Sequence, residues 1–155
     1  MQPLAELLTP ERTACQVPGV SKKRLFETLA RIISEDQLSL SYDEVFSQLI
    51  SREKLGSTGL GEGIAIPHCR IGNCSQPTGT LVTLSEAIDF DSPDNQPVDL
   101  VFALLVPEEA HQQHLDTLAG LARLFSQSDF CDSLRGASDE AILYRLASQA
   151  QAVHP

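Results

Sequence analysis

The chain has 155 residues, 42% of them hydrophobic, which fits one globular domain over residues 1–155. Its formal net charge of −10 repels nucleic-acid phosphates and anionic lipid heads, which argues against nucleic acid or membrane as the main partner. The four cysteines lack paired C-x-x-C spacing, which argues against a zinc ribbon. Without a signal peptide or a run of about 20 apolar residues, we expect a cytoplasmic protein with reduced thiols and no membrane insertion.

The first third of the chain predicts a short turn-and-strand segment over Pro3–Val17 and then two helices. Ser21 is the N-cap of the first helix, whose buried face has helical spacing: Leu25, Leu29, Ile32 and Ile33. Ser41 and Glu44 form a capping box that opens the second helix, which Gly56 ends. Its buried face is formed by Val45, Phe46, Leu49 and Ile50.

The middle of the chain alternates loops with strand-like runs. Four glycines within residues 56–63 predict a loop, and Ile64–Ile66 predicts a short strand that Pro67 ends. Residues 80–85 predict another strand, followed by a polar connection over residues 87–96. Residues 98–106 are almost continuously apolar, as in a strand covered on both faces.

The last third predicts helices. A helix begins near Ala110 and buries one face, formed by Leu115, Leu118, Leu121, Ala122 and Phe125. A short helix over Ser128–Leu134 ends at Gly136, and Ser138 and Glu140 open a final helix with Ile142, Leu143 and Leu146 turned inward. Helices on both sides of the strands predict an α/β fold, a three-layer α/β/α sandwich with a central mixed sheet.

His68 is the candidate for chemistry, because it follows Pro67 at the predicted end of a buried strand, where α/β proteins bind ligands. A neutral imidazole, with an ordinary pKa of about 6.5, is a good nucleophile toward phosphorus. Amides of the glycine loop would hold the phosphoryl oxygens. The loop lacks the G-K-[ST] ending of a nucleotide P-loop. A structural histidine beside a flexible connection is the alternative.

A second cluster, His111 to His114, lies near the predicted start of the helix that follows Pro107. Helix N-termini favour anions through their free N–H groups and the helix dipole. His114 is therefore a candidate to face a phosphoryl group on His68. The alternative is that both histidines are solvated surface residues.

Residues 53–69, EKLGSTGLGEGIAIPHC, resemble the active-site signature of the fructose/mannitol-type IIA domains of the bacterial phosphoenolpyruvate-dependent phosphotransferase system. Residues 94–118 are similar to the later part of that family, in its nitrogen-regulatory branch, and the likeness spans about Leu4 to Leu146. The resemblance implies that His68 is phosphorylated, that His114 is the second active-site histidine and that Arg52 supports the site. The alternative for Arg52 is a solvated helix end.

One departure from the family is Cys69, which stands where glycine is most common. A position that needs φ > 0 would be strained by its Cβ. Redox sensitivity is one interpretation of a thiol beside the active histidine. No lysine-rich segment nearby favours the thiolate, so an inert small residue is the preferred interpretation.

The resemblance implies a histidine phosphocarrier whose donor is an HPr-like protein charged by enzyme I, with no metal or nucleotide cofactor. The nitrogen-branch likeness, in a chain without a IIB or IIC unit, favours regulation through the phosphorylation state. A IIA component of fructose/mannitol uptake and a phosphate-independent binding module are the alternatives. A zinc hydrolase is a further alternative, with His68, Cys69, Cys74, His111 and His114 as candidate ligands. The spacing of these residues does not match the H-E-x-x-H motif, which argues against it.

Overall fold

The computed structural model of the chain describes residues 4–109 and 111–150, without the side chains of residues 111 and 113. The described residues form six strands: β1 (Thr13–Val17), β2 (Gly59–Gly61), β3 (Ile64–Ala65), β4 (His68–Ile71), β5 (Thr78–Ile88) and β6 (Val98–Pro107). They also form six α-helices: α1 (Leu4–Leu7), α2 (Lys22–Asp36), α3 (Tyr42–Lys54), α4 (His111–Phe125), α5 (Ser128–Arg135) and α6 (Glu140–Ser148). One turn of 3-10 helix spans Pro10–Arg12.

The strands join in one mixed sheet with β6 near its centre. Strand β6 pairs antiparallel with β5 and parallel with both β3 and β4. Strand β1 pairs parallel with β5, and β2 pairs antiparallel with β3. This arrangement confirms the predicted central mixed sheet.

The two faces of the sheet are covered by different helices, which confirms the three-layer sandwich. Along β6, Val101, Ala103 and Leu105 pack into the cluster that contains α2 and α3. The alternate residues, chiefly Phe102 and Leu104, pack into the opposite cluster with α1, α4, α5 and α6. Each cluster buries apolar side chains along every covering helix, so β6 is apolar throughout because both of its faces are inside the protein.

The predicted helix starts agree with the structure at two serines and differ at the last helix. The Ser21 and Ser41 side chains accept hydrogen bonds from the backbone N–H of Arg24 and Glu44, each at 3.1 Å. The α6 cap is Asp139 rather than Ser138, since the Asp139 carboxylate accepts from the Ile142 N–H at 2.8 Å. A carboxylate at this position also favours the positive end of the helix dipole.

The prediction that Leu115 lies on the buried face of α4 is wrong. Leu115 is 58% exposed, whereas the neighbouring His114 is only 7% exposed. The buried stripe continues through Thr117 and Leu121, so two polar residues near the start of α4, His114 and Thr117, lie on its buried face. The predicted helix start at Ala110 lies outside the described residues.

The N-terminal segment and β5 contain more regular secondary structure than predicted. Residues 4–7 form a helical turn because Leu4 and Leu7 are both buried against the sheet. Strand β5 extends the predicted residues 80–85 at both ends and continues to Ile88 before the polar connection begins. Pairing with two neighbours, β1 and β6, supports this length.

The structure of residues 59–71 corrects two further predictions. Residues 59–61 are not loop but the strand β2, which forms a hairpin with β3. His68 does not end a strand but begins β4, which continues along β6 in the register set by β3: Ile64 lies opposite Leu100 and His68 opposite Leu104. Pro67 interrupts the ladder because it has no N–H, yet its carbonyl still accepts from Leu104 N at 2.8 Å.

Within the described ranges, no helix is both long enough and apolar enough to cross a membrane.

Candidate functional site

An open cleft of about 380 Å³ lies beside β4. Strand β4 pairs with β6 on one side, and no described strand pairs with its other side. Its walls come from α3, β4 and α4 and include Arg52, Leu55, His68, Cys69, Arg70 and His114. Three larger clefts, of about 440, 520 and 710 Å³, contain neither histidine. The cleft beside β4 therefore holds both candidate histidines, and it brings together all three residues that the resemblance implied.

His68 is half-buried, and one hydrogen bond orients its ring. The Nδ1 atom lies 2.7 Å from the Ile66 carbonyl oxygen. Because a carbonyl oxygen only accepts, Nδ1 carries the ring hydrogen and Nε2 keeps the lone pair. Burial lowers the pKa of His68 below 6.5, a trend that the Ile66 hydrogen bond opposes and the charge of Arg52 assists. The ring is therefore neutral and nucleophilic at Nε2 near pH 7.

His114 lies beside His68, with ring centroids 5.6 Å apart and ring planes inclined by 51°. Burial first, and then the charges of His68, Arg70 and Arg52, lower the pKa of His114 to about 4. Its buried Nδ1 atom has no hydrogen-bond partner among the described residues. A neutral ring of this kind has a single N–H to donate.

Arg52 lies in the last turn of α3, half-buried, and donates from Nη1 to the Gly56 carbonyl at 2.9 Å. This bond closes the helix end and holds the guanidinium at the cleft wall. Its charge helps to lower the pKa values of both histidines. Arg52 can therefore attract an anion to the cleft without a metal ion.

Arg70 is a cleft residue that the sequence analysis missed. It lies two positions after His68 in β4 and lines the same cleft, where its charge lowers the pKa of His114. Side chains two apart in a strand share a face, so the spacing itself is a signal. The signal was hidden because His68 was placed at the end of a strand rather than at the start of one.

The glycine-rich segment does not take the predicted place around His68. Gly59, Gly61 and Gly63 do not line the cleft. The hairpin tip is held elsewhere, because Glu62 N donates to Asp94 at 2.9 Å and Arg135 donates to the Glu62 carbonyl at 2.7 Å. Gly61 and Gly63 have φ values of +90° and +80°, which glycine adopts most readily. These glycines serve the hairpin, and the side chains of the cleft provide the positive groups.

Cys69 occupies ordinary strand backbone opposite Leu105, so the predicted strain at φ > 0 does not arise. Burial, and to a smaller degree the neighbouring Cys74, raises the pKa of the Cys69 thiol to about 12. The thiol stays protonated, which supports the interpretation of Cys69 as an inert small residue. Within the described part of the chain, no three His, Cys, Asp or Glu residues are grouped to hold a metal ion.

The sequence model of one protein family, described as phosphoenolpyruvate-dependent sugar phosphotransferase system, EIIA 2, matches residues 6–150. The chain belongs to this type-2 EIIA family, whose members are phosphotransfer components. The family resemblance predicted from residues 53–69 and 94–118 is thereby confirmed.

Nitrogen regulatory proteins are similar to the chain over nearly its whole length. The protein from Pseudomonas aeruginosa is 43% identical over 148 residues, which cover 96% of each chain. The protein from Escherichia coli strain K12 is 40% identical over 149 residues, 96% of this chain and 91% of that one. These relatives confirm the predicted nitrogen-regulatory branch.

A solved structure supports the same assignment. The crystal structure of nitrogen regulatory protein IIA-Ntr from Neisseria meningitidis has a TM-score of 0.86 and 42% identity, covering 93% of this chain and 98% of that one. The mannitol IIA protein of Escherichia coli, at 16% identity and a TM-score of 0.74, shares the fold.

Proposed function

We propose that this protein is a histidine phosphocarrier that accepts a phosphoryl group on Nε2 of His68 from the phosphohistidine of an HPr-like protein. The observation that carries the proposal is the hydrogen bond between His68 Nδ1 and the Ile66 carbonyl, which leaves Nε2 as the free nucleophile in a cleft with two arginines. In this proposal, residues 1–155 act as a single IIA type-2 domain in the cytoplasm.

In the transfer step, the His68 Nε2 lone pair forms a bond to phosphorus while the donor's N–P bond breaks and its electron pair returns to the donor imidazole. The migrating group carries negative charge on three equatorial oxygens in a loose transition state. Arg52 and Arg70 provide positive charge there, and neutral His114 offers one ring N–H. The His68 ring becomes more positive as it is phosphorylated, and the Ile66 carbonyl stabilises its N–H.

The rim of the cleft fits a protein donor. Leu55, at the end of α3, is 85% exposed and lines the cleft with both histidines. Leu115, which follows His114 in α4, is 58% exposed. Exposed apolar side chains around a polar centre are typical of protein contacts. The overall charge of −10 would attract a basic donor surface to the protein and speed their encounter.

The test is incubation with phosphoenolpyruvate, enzyme I and an HPr-type protein, followed by mass mapping of the acid-labile label. We expect one label per chain, on His68, and no label on His68→Ala. Persistent stoichiometric labelling of His68→Ala would contradict the assignment.

The nitrogen regulatory names of the relatives support a regulatory role through the phosphorylation state. A phosphoryl group adds nearly two negative charges at one point on the surface, which a partner can read. We expect partner proteins to bind the phosphorylated and unphosphorylated forms with different affinities. Equal affinity for the two forms would instead favour a phosphate-independent binding module, and rapid transfer to a IIB-type protein would favour sugar uptake.

A further inference from the structure

Glu53 is a buried carboxylate that plays no part in lining the cleft. It lies in the last turn of α3, next to Arg52 in sequence, and is 9% exposed. Its Oε2 atom is 2.8 Å from the Lys22 ammonium and also accepts from the Thr58 N–H at 3.1 Å. Its Oε1 atom accepts from the Thr58 hydroxyl at 2.6 Å. Both oxygens therefore have partners within the protein.

The Lys22 ammonium, which pairs with this carboxylate, has two further contacts. Its Nζ atom donates to the Phe90 carbonyl at 3.1 Å and lies 4.4 Å from the centroid of the Phe90 ring. Lys22 is the first residue of α2, while Phe90 lies in the connection after β5. The ion pair therefore joins α2, the end of α3 and the β5–β6 connection at one point.

The Glu53 carboxylate connects to the His68 ring through four hydrogen bonds, which join Glu53 to Thr58, Thr58 to Ile66 and Ile66 to His68. Thr58 binds Glu53 through both its N–H and its hydroxyl. The Thr58 carbonyl accepts from Ile66 N at 3.0 Å, and the Ile66 carbonyl holds His68 Nδ1 at 2.7 Å. A shift of Thr58 would therefore move the carbonyl that sets the orientation and the hydrogen position of the His68 ring.

A buried ion pair is a weak source of net stability, because removing two charges from water offsets much of their attraction. Hydrophobic residues of similar size would fill the same space at similar stability. What such residues could not do is accept two hydrogen bonds from Thr58 in a fixed direction. The Lys22–Glu53 pair is thus better explained by the geometry that it enforces than by the stability that it adds.

We propose that Glu53 is a positioning residue for phosphoryl transfer: anchored by Lys22, its carboxylate fixes Thr58 and, through Ile66, the orientation of the His68 ring. This inference rests on the proposed function of His68, although Glu53 itself touches neither the phosphoryl group nor the donor. The orientation of His68 is a property of the unphosphorylated protein, so it is measurable without any donor.

The first measurement is the nitrogen-15 NMR spectrum of the His68 ring at pH 7.5. We expect one Nδ1–H form in the native protein and a mixture of the two ring forms in Glu53→Gln, because Gln offers one acceptor where Glu offers two. The second is the transfer rate from a phosphorylated HPr-type donor, which we expect to fall about 10-fold in kcat with KM for the donor unchanged.

A matched pair of variants at one position keeps the test valid if Glu53→Gln does not fold. Thr58→Val removes the hydroxyl that binds Glu53 and keeps the shape, whereas Thr58→Ser keeps the hydroxyl. We expect Thr58→Val to show the same direction of change as Glu53→Gln, and Thr58→Ser to restore native behaviour in both measurements.

Asp36→Asn is the control for a general loss of stability, since Asp36 forms an ion pair with buried Arg12 away from the cleft. It should lower thermal stability and leave the His68 spectrum and kcat unchanged. The inference is overturned if Glu53→Gln or Thr58→Val keeps a native His68 spectrum and a native kcat, or if Asp36→Asn changes both equally. A native protein that takes no label contradicts the proposed function instead, and the spectrum still decides the role of Glu53.

Discussion

The two histidines of the cleft lie in neighbouring regions that differ in how they bury and hydrogen-bond the imidazole ring. The β4 region holds His68 half-exposed, with Nδ1 fixed by a backbone carbonyl. The α4 region holds His114 almost fully buried, with no described partner for its Nδ1. An oriented ring with a free lone pair suits a nucleophile, whereas a buried neutral ring suits a donor of one hydrogen bond. The difference supports separate roles for the two side chains in the proposed transfer.

The largest expected effect separates these two roles directly. His68→Ala should take no label at all, because it lacks the attacking nitrogen. His114→Ala should still be labelled on His68, with a transfer rate about 100-fold lower, because it loses only one donor to the transition state. Quench-flow transfer from a phosphorylated HPr-type donor measures both variants. An unlabelled but folded His114→Ala would show that the roles are not separate.

The second effect is on stability and depends on the depressed pKa of His114. Since the folded pKa is about 4 and the unfolded value is 6.5, the unfolded chain binds more protons between these limits. The unfolding free energy should therefore fall as pH drops from 6.5 to 4, by about 3 kcal/mol from His114 alone. Urea unfolding of the native protein and His114→Gln over this range isolates the contribution. Parallel pH profiles for the two proteins would contradict it.

Much of the fold follows from local sequence, and the rest depends on tertiary pairing. The caps at Ser21 and Ser41 and the apolar run of β6 were predictable because each signal is local. The start of β4 was not, since Pro67 is a local stop signal while the parallel pairing with β6 that overrides it is a long-range contact.

The site was predictable in its main residues and not in its supports. His68, His114 and Arg52 share one cleft, as the resemblance implied, although their roles in transfer stay predictions. Nothing local distinguishes Lys22 from its neighbour Lys23, and only the fold brings it to Glu53. The exposure of Leu115 was hidden for the same reason, since helical spacing alone does not tell which stripe meets the sheet.

A third, smaller effect concerns Arg52, whose charge acts on both histidines. Arg52→Met should raise the pKa of His68, because a neighbouring positive charge that lowers it is removed. We expect the transfer rate to fall about 10-fold, and Arg52→Lys to recover part of the loss. Proton NMR titration and transfer kinetics report the two changes. Arg123→Met, which removes a cation of α4 outside the cleft, should change neither.

The smallest effect belongs to the rim. Leu55→Ser and Leu115→Ser should raise KM for the donor protein about 3-fold each, with kcat and thermal stability unchanged, because both side chains are already exposed. Leu38→Ser is the control, since Leu38 is 90% exposed, does not line the cleft and is not next to either histidine in the sequence. Equal changes at Leu38 and Leu55 would show that the rim is not a contact surface.

The unbroken register of β3 and β4 along β6 restricts how this segment can change its length. Leu104, opposite His68, faces α4, while Leu105, opposite Cys69, faces α2 and α3. One residue inserted between Ala65 and His68 would exchange the two faces and turn the imidazole away from His114. The register along β6 therefore excludes insertions and deletions between Ala65 and His68, whereas a substitution that keeps the alternation of faces is compatible with it.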